Sequence, residues 1–293
     1  MSWSWQTTDG GLTVSQRLRA AAVQMTSGTD SEANLEQAVA LVRHAAGLEA
    51  HYVQLPEYAS FWGPASYYAT AAQTLDGEFV TTMAALAHSL QLHVHVGSFL
   101  EHTGQGYANT SVVLAPNGAR AVYRKMHLFD VDVPGGVTYR ESAAIEAGNE
   151  MVVASADDAV LGLTICFDVR FPELYRSLSL AGANVLCVPA AFSAVTGPPH
   201  WEVLLRARAI ENGAFVVAAA QAGTTAEGLA THGHALIVSP WGELLAEATS
   251  AGLEVVVADL ELDAARQRRE QIDTLTLRRP SLYGGAVRRQ SLS

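Results

Sequence analysis

The feature that most constrains the fold is an alternation of apolar strands with an amphipathic helix near the amino terminus. Residues 18–25 are mostly apolar and predict a buried strand. Residues 33–46 carry apolar side chains at helical spacing, with Ser31 as the expected cap and Gly47 as the expected end. Residues 52–55 provide the next strand, which Pro56 stops. This strand–helix–strand order predicts an α/β fold.

Further along, the pattern changes and then returns. Residues 93–99, 107–114 and 119–123 read as strands in quick succession, with Pro116-Asn117-Gly118 as a hairpin turn. The stretch 126–149, which contains Pro134-Gly135-Gly136, lacks periodicity and is interpreted as a functional loop. Strands and helices alternate again from Met151, with helices expected at 172–181 and 199–212.

This arrangement favours mixed sheets with helices on their outer faces, which is a four-layer α-β-β-α sandwich. Neither half ends in a linker, so we expect one domain over residues 18–284, after a leader (1–17) and before a tail (285–293). Strands at 185–189, 214–220, 234–238 and 255–258 complete it, and the basic segment 264–269 is expected to be an exposed terminal helix.

Composition excludes several classes of function. The net charge of −11 and a pI near 5.3 argue against attraction to nucleic acid or to an anionic membrane. The amino terminus does not resemble a signal peptide. No apolar run comes close in length to a membrane span, which needs about 20 residues. We expect a cytoplasmic protein that acts on small molecules. The glycosylation triplet Asn109-Thr110-Ser111 is therefore interpreted as idle.

A cysteine stands where a predicted strand turns into a predicted helix. The apolar run 160–165 delivers Cys166 to its end, and a polar turn leads into a helix from about Pro172. Free backbone N–H groups in such an elbow can hold an oxyanion and favour the thiolate, which makes Cys166 a candidate nucleophile. The alternative is a small buried hydrophobe. Cys187, inside an apolar strand, is interpreted as structural, and the two cysteines fit a reducing compartment.

Two charged residues occupy comparable places at the ends of other strands. Glu57 follows the strand and proline of Leu55-Pro56, and Lys125 ends a hairpin strand. Each alone could be a solvated surface residue. Together with Cys166 they have a chemical logic: a thiolate attacks an amide or nitrile carbon, a glutamate takes the thiol proton and later activates water, and a lysine stabilises the oxyanion. The lysine would also lower the cysteine pKa.

This set resembles the nitrilase superfamily of carbon–nitrogen hydrolases, and the resemblance covers nearly the whole chain. Besides the elbow, the motifs that carry it are Leu55-Pro56-Glu57, Tyr123-Arg124-Lys125-Met126-His127-Leu128, Thr196-Gly197-Pro198-Pro199-His200-Trp201-Glu202 and Ser239-Pro240-Trp241-Gly242-Glu243. The resemblance implies the α-β-β-α sandwich and a metal-free triad without a cofactor. In that triad Glu57 is the base, Lys125 the oxyanion stabiliser and Cys166 the nucleophile. The Phe167 N–H is implied as second oxyanion donor, and Glu141 as a further catalytic glutamate that positions the substrate amide and Lys125.

Within the superfamily, Phe171-Pro172-Glu173-Leu174 and Ala191-Phe192-Ser193 resemble the amidase branch that contains deaminated glutathione amidase and ω-amidase. That branch cleaves terminal amides of small acids and releases ammonia, so the pocket needs a cation for the substrate carboxylate. Arg170 could serve, although an ion pair with Asp168 or Glu173 is an equal alternative. Phe192 and Thr196 are implied as an apolar wall and a hydroxyl. Phe167 and Val169 stand where close relatives often show tyrosine and methionine, which weakens any claim about one substrate.

Other functions stay open at this point. Within the family, the substrate could be deaminated glutathione, α-ketoglutaramate, an N-carbamoyl amino acid or a nitrile. A metal-dependent amidohydrolase is suggested by His93-Val94-His95 and His232-Gly233-His234, yet no carboxylate ligands accompany them. A non-catalytic scaffold is disfavoured because all matched catalytic positions are occupied. The expected partners are a small amide and water, without nucleic acid or membrane, in a homodimer or higher homo-oligomer.

Overall fold

In the computed structural model of the chain, the described residues are 16–132, 138–224, 228, 230–249, 252–283 and 285. The larger sheet of this part has nine strands. They are β1 (Arg17–Met25), β2 (Tyr52–Gln54), β3 (His93–His95), β4 (Phe99–His102), β5 (Tyr107–Leu114), β6 (Arg120–Arg124), β13 (Ala220–Thr224), β14 (Ala230–His232) and β17 (Glu254–Glu261). β13, β1, β2 and β3 lie parallel and adjacent, whereas β17 pairs antiparallel with β1.

The second sheet has six strands in the described residues. They are β9 (Val153–Ala156), β10 (Ala159–Leu163), β11 (Val185–Cys187), β12 (Phe215–Ala218), β15 (Leu236–Val238) and β16 (Leu244–Glu247). β10, β11 and β12 are parallel neighbours. The loop predicted at 126–149 contains a small ribbon of β7 (Asp130–Asp132) and β8 (Thr138–Arg140). Its Pro134-Gly135-Gly136 turn lies outside the described residues, as do most of the leader and tail.

Helices cover the outer face of each sheet. The helices are α1 (Ser31–Gly47), α2 (Tyr68–Ala71), α3 (Glu78–Leu90), α4 (Pro172–Leu180), α5 (Gly197–Asn212), α6 (Leu262–Gln271) and α7 (Pro280–Tyr283). The carboxylate of Asp30, and not Ser31, caps α1 by accepting from the Glu32 and Ala33 N–H groups. The predicted terminal helix is α6, and the short α7 follows it.

Two apolar layers lie on the two faces of β1. Ala21 and Val23 pack with side chains of α1 and α3, whereas Ala20 and Ala22 belong to the core that also holds the second sheet, α4 and α5. Since successive side chains of a strand point to opposite faces, the central apolar residues of β1 contribute alternately to the two layers. The layers are therefore helices, sheet, sheet and helices, which confirms the predicted four-layer sandwich.

Most predicted strands and helices are present in the structure. Their observed bounds differ from the predicted ones where a strand ends before its apolar run does. The predicted strand 93–99 is interrupted after His95, because residues 96–98 pass into a loop before β4 begins. Gly97 in this loop has φ +72°, and a Cβ there would lie 1.9 Å from the Leu55 carbonyl oxygen. Only glycine allows this close approach, which brings the loop against the turn that carries Glu57.

Candidate active site

The predicted catalytic side chains leave separate strand ends and meet in one place. Glu57 follows β2, Lys125 follows β6, and Cys166 follows β10. Glu141 opens a 3₁₀ turn, Glu141–Ala143, directly after β8. All four side chains are buried. Glu57, Lys125 and Cys166 come from parts of the chain that are far apart in the sequence. The fold therefore brings these side chains, which are distant in the sequence, together in one cluster.

The cysteine elbow is a 3₁₀ turn, Cys166–Arg170, and α4 begins only at Pro172. Cys166 itself has φ +46°, in the left-handed region that few residues other than glycine adopt, so the backbone at the candidate nucleophile is strained. Its N–H donates to the Pro189 carbonyl at the end of the neighbouring strand, at 2.9 Å. The elbow thus projects the side chain away from the sheet edge while the backbone stays attached to it.

Asp168 fixes this elbow to the segment that carries Lys125. Its carboxylate accepts from the Ile165 N–H at 2.8 Å and from the Tyr123 hydroxyl at 2.7 Å. It also accepts from the His127 N–H at 3.1 Å and lies 2.7 Å from His127 Nδ1. Tyr123 and His127 flank Lys125 by two residues on each side, so Asp168 sets the spacing between lysine and cysteine.

Lys125 lies between two carboxylates. Its Nζ is 2.8 Å from Glu57 Oε1 and 2.8 Å from Glu141 Oε2, and the exposed fraction of the lysine side chain is only 2%. Burial disfavours the ammonium, but Glu141 and Glu57 outweigh it and hold the pKa of Lys125 well above its ordinary value. Lys125 is therefore a fixed cation at neutral pH.

The two glutamates face different neighbours. Glu57 accepts from the Ala191 N–H on Oε2 at 2.8 Å, and its carboxylate is near enough to the Cys166 thiol to raise the pKa of that thiol. Glu141 accepts from the Tyr58 hydroxyl at 2.8 Å and from the Phe129 N–H at 2.7 Å. Burial opposes ionisation of Glu141, yet Lys125 and these donors lower its pKa. Glu57 is thus the carboxylate beside the thiol, and Glu141 is the carboxylate that its several donors fix beside Lys125.

Lys125 lowers the pKa of Cys166, as expected, but the net shift of that pKa is upward. Burial and the nearby Glu57 carboxylate raise the pKa of Cys166 well above its usual value, and the lowering effect of Lys125 is smaller. The physical reason is that the site carries two anions for one cation before the thiolate forms. The Cys166 sulfur is therefore a neutral thiol at rest.

A cavity of about 290 Å³ opens over Cys166. Every residue predicted for the site lines it: Glu57, Lys125, Glu141, Cys166, Phe167, Arg170, Phe192 and Thr196. Its wall also contains aromatic side chains that the sequence did not single out, namely Tyr58, Trp62, Phe129 and Tyr139. The cavity therefore has a charged end at the nucleophile and a largely aromatic wall.

Arg170 makes neither of the ion pairs considered from the sequence. Asp168 bonds elsewhere, and among the described residues no salt bridge joins Arg170 to Glu173. The guanidinium carbon lies 5.2 Å from the centre of the Phe192 ring, and NH1 is 3.3 Å from His200 Nδ1. A half-buried guanidinium at the cavity wall, with no carboxylate partner among the described residues, is available for an anion.

The histidines considered as metal ligands have other partners. His95 is fully buried between the Tyr52 hydroxyl at 2.6 Å and the Ser111 hydroxyl at 2.5 Å, and burial lowers its pKa to about 3. His234 pairs with Glu247 at 2.8 Å. Within the described part of the chain, no group of three or more His, Cys, Asp or Glu could hold a metal ion.

Two site residues lie in segments that sequence reasoning passed over. Asn109 donates from Nδ2 to Glu57 at 2.9 Å and to Glu141 at 3.0 Å, although its only sequence signal was the glycosylation triplet. It is fully buried and cannot carry a glycan. Tyr58 directly follows Glu57, has φ +55°, and reaches Glu141 with its hydroxyl. A positive φ at a tyrosine is invisible in a sequence.

Comparison with known proteins agrees with this geometry. The carbon-nitrogen hydrolase family model matches residues 19–270. The deaminated glutathione amidase of Synechocystis sp. (strain PCC 6803 / GT-S) is 46% identical over 267 residues, which are 87% of this chain and 96% of that protein. Omega-amidase NIT2 of Xenopus tropicalis is 35% identical over 268 residues, covering 91% and 97%.

A solved structure agrees as well. The Saccharomyces cerevisiae protein Nit3, described as a member of branch 10 of the nitrilase superfamily, superposes with a TM-score of 0.80 at 26% identity. The match covers 91% of this chain and 97% of that one. No helix among the described residues has the length and apolar character needed to cross a membrane.

Proposed function

The chain belongs to the carbon–nitrogen hydrolase family and is an amide-cleaving enzyme of the nitrilase superfamily, and from that premise we propose that Cys166 cleaves small amides that also carry a carboxylate. The observation that carries the proposal is the position of Glu57, which lies 2.8 Å from Lys125 Nζ through Oε1 and shares the cavity wall with Cys166.

Acylation begins with the neutral thiol. As Sγ attacks the amide carbon, its proton passes to Glu57, so no free thiolate accumulates in the buried site. The carbonyl oxygen becomes an oxyanion, which the Lys125 ammonium and the Phe167 N–H stabilise. When the C–N bond breaks, the leaving nitrogen takes the proton from Glu57 and departs as ammonia. A thioester on Cys166 and an ionised Glu57 remain.

Deacylation repeats these steps with water. Glu57 takes a proton from water, the hydroxide oxygen attacks the thioester carbon, and the same donors hold the second oxyanion. Collapse releases the acid, and the proton on Glu57 returns to the sulfur. Glu141 is the positioning carboxylate of both steps. Its donors from Tyr58 and Phe129 keep it ionised beside Lys125, and it can accept from the substrate amide.

Arg170, Phe192 and Thr196 form the substrate-binding end. Arg170 can bind the substrate carboxylate with two N–H donors, and Phe192 beneath it restricts the guanidinium to the cavity wall. Thr196 adds a hydroxyl on the same loop as Phe192. The substrate therefore spans the cavity with its amide at Cys166 and its carboxylate at Arg170.

The amide of deaminated glutathione is the favoured substrate, because the relative of that name shares 46% identity over 87% of this chain. The amide of α-ketoglutaramate is the second candidate, supported by the lower identity to the omega-amidase. Single-domain organisation over residues 18–284, a cytoplasmic location and a homodimer or higher homo-oligomer complete the proposal. Sedimentation at several concentrations tests the assembly.

A substrate panel with trapping tests the function. Purified protein is offered deaminated glutathione, α-ketoglutaramate, an N-carbamoyl amino acid and a simple nitrile, and ammonia release is measured. We expect the highest kcat/KM for deaminated glutathione, no turnover by Cys166→Ala, and an acyl mass on the peptide that contains Cys166 after acid quenching. Turnover by Cys166→Ala at the wild-type rate would refute the mechanism.

A further inference from the structure

The buried amide of Asn109 connects the two glutamates of the site. Nδ2 is 2.9 Å from Glu57 Oε1 and 3.0 Å from Glu141 Oε1, so each N–H of the amide goes to a different carboxylate. The Asn109 carbonyl also accepts from the Lys125 N–H at 3.0 Å. One residue of β5 thus contacts both carboxylates through its side chain and the lysine through its backbone.

The orientation of this amide is fixed by its neighbours. With the amide reversed, Oδ1 would face two carboxylate oxygens and repel both. In the orientation present, Oδ1 has no protein donor among the described residues. Only the nitrogen of the Asn109 side chain thus has hydrogen-bond partners. This indicates that the site uses the N–H donors of Asn109.

The charge of the cluster explains why such donors matter. Two carboxylates share one ammonium in a buried site, and like charges resist joint ionisation. A neutral amide adds a donor to each carboxylate without adding a proton that can be lost. The titratable groups that face the pair are Lys125, Cys166, Tyr58, Tyr68 and Tyr139.

We propose that Asn109 is a positioning residue that keeps Glu57 and Glu141 ionised together around Lys125, so that one glutamate stays free to accept the thiol proton. The inference rests on the proposed function, because it concerns the base that serves Cys166. Glu141 has four donors, from Tyr58, Asn109, Lys125 and Phe129, whereas Oε2 of Glu57 accepts only from the Ala191 N–H among the described residues. Asn109 maintains this division.

The test is the pH profile of kcat/KM in Asn109→Leu, which keeps the approximate volume, and Asn109→Asp, which keeps the shape but replaces the donors with a carboxyl. We expect kcat/KM at pH 7 to fall about 100-fold in both. We also expect the acidic limb to move upward by about one pH unit, since protonation of the glutamate pair becomes easier. Asn109→Ser provides a smaller third variant if the leucine chain does not fold.

Thr110→Val is the matched control. Thr110 is the next residue of the same strand, is equally buried, and donates to Glu101 at 2.6 Å on the opposite face. We expect this variant to lose thermal stability while it keeps the wild-type pH profile. A profile unchanged in the Asn109 variants, or shifted equally in Thr110→Val, would overturn the inference. Failure of the proposed function is distinct, because wild type and Cys166→Ala would then be equally inactive.

Discussion

The hydroxyl of Tyr123 donates a 2.7 Å hydrogen bond to the fully buried carboxylate of Asp168. Tyr123 lies on β6, two residues before Lys125, and Asp168 lies two residues after Cys166. This contact therefore joins the larger sheet, which supplies the lysine, to the second sheet, which supplies the nucleophile. The relative position of lysine and sulfur depends on it.

Removal of this hydroxyl tests the connection. We expect Tyr123→Phe to lower the free energy of unfolding by about 1–3 kcal/mol, because a buried carboxylate loses a donor. We expect kcat/KM to fall at least about tenfold through misplacement of Lys125. Tyr52→Phe is the matched control, since its buried hydroxyl bonds His95 and Cys187 in the core away from the cavity. Equal loss of activity in both variants would contradict a specific role for Tyr123.

Alkylation of Cys166 should report its raised pKa. Because burial and Glu57 keep the sulfur protonated, we expect the rate of inactivation by iodoacetamide to rise continuously from pH 6 to pH 9 without a plateau. Mass spectrometry should place the label on Cys166. Cys187→Ser serves as control, since Cys187 is fully buried with a pKa raised to about 12. A plateau reached below pH 7 would show a resting thiolate instead.

Arg170 should discriminate substrates by charge. We expect Arg170→Ala to reduce kcat/KM for a carboxylate-bearing amide about 10–100-fold, which corresponds to the loss of a charge-assisted hydrogen bond of about 1.5–3 kcal/mol. For a neutral amide of similar length we expect less than about a threefold change, since such a substrate has no carboxylate for the guanidinium to bind. Arg170→Lys should recover part of the first loss. Equal losses on both substrates would remove Arg170 from the binding site.

Acid stability should depend on Glu141. Its lowered pKa means that the unfolded chain binds this proton more readily than the folded chain. The stabilisation is thus complete above the ordinary glutamate pKa of about 4.3 and is lost as the pH falls through the lower folded value. We expect Glu141→Gln to flatten the dependence of the unfolding midpoint on pH below about 5. Glu36→Gln, on the exposed face of α1, should keep the wild-type dependence.

Much of the site was predictable because its residue types stand at strand ends. Glu57, Lys125 and Cys166 each follow a strand that apolar periodicity identifies, and the family motifs carry Glu141 with them. Asn109 was missed because a polar residue within a strand has many uses, and its contacts involve residues 32 and 52 positions away. Tyr58 was missed because its left-handed backbone depends on packing beneath the turn.

The sequence by itself determined the layered α/β architecture and the amidase family, and it predicted which residues serve as nucleophile, base and cation. These follow from periodicity and from local motifs, which depend on neighbouring residues. Only the tertiary structure decided the charge balance around Cys166. Two carboxylates, one ammonium and one neutral amide meet there from separate strands, and their distances and burial make the resting sulfur a thiol. Electrostatic free energy depends on the distances between charges and on their burial, and neither can be read from the order of residues.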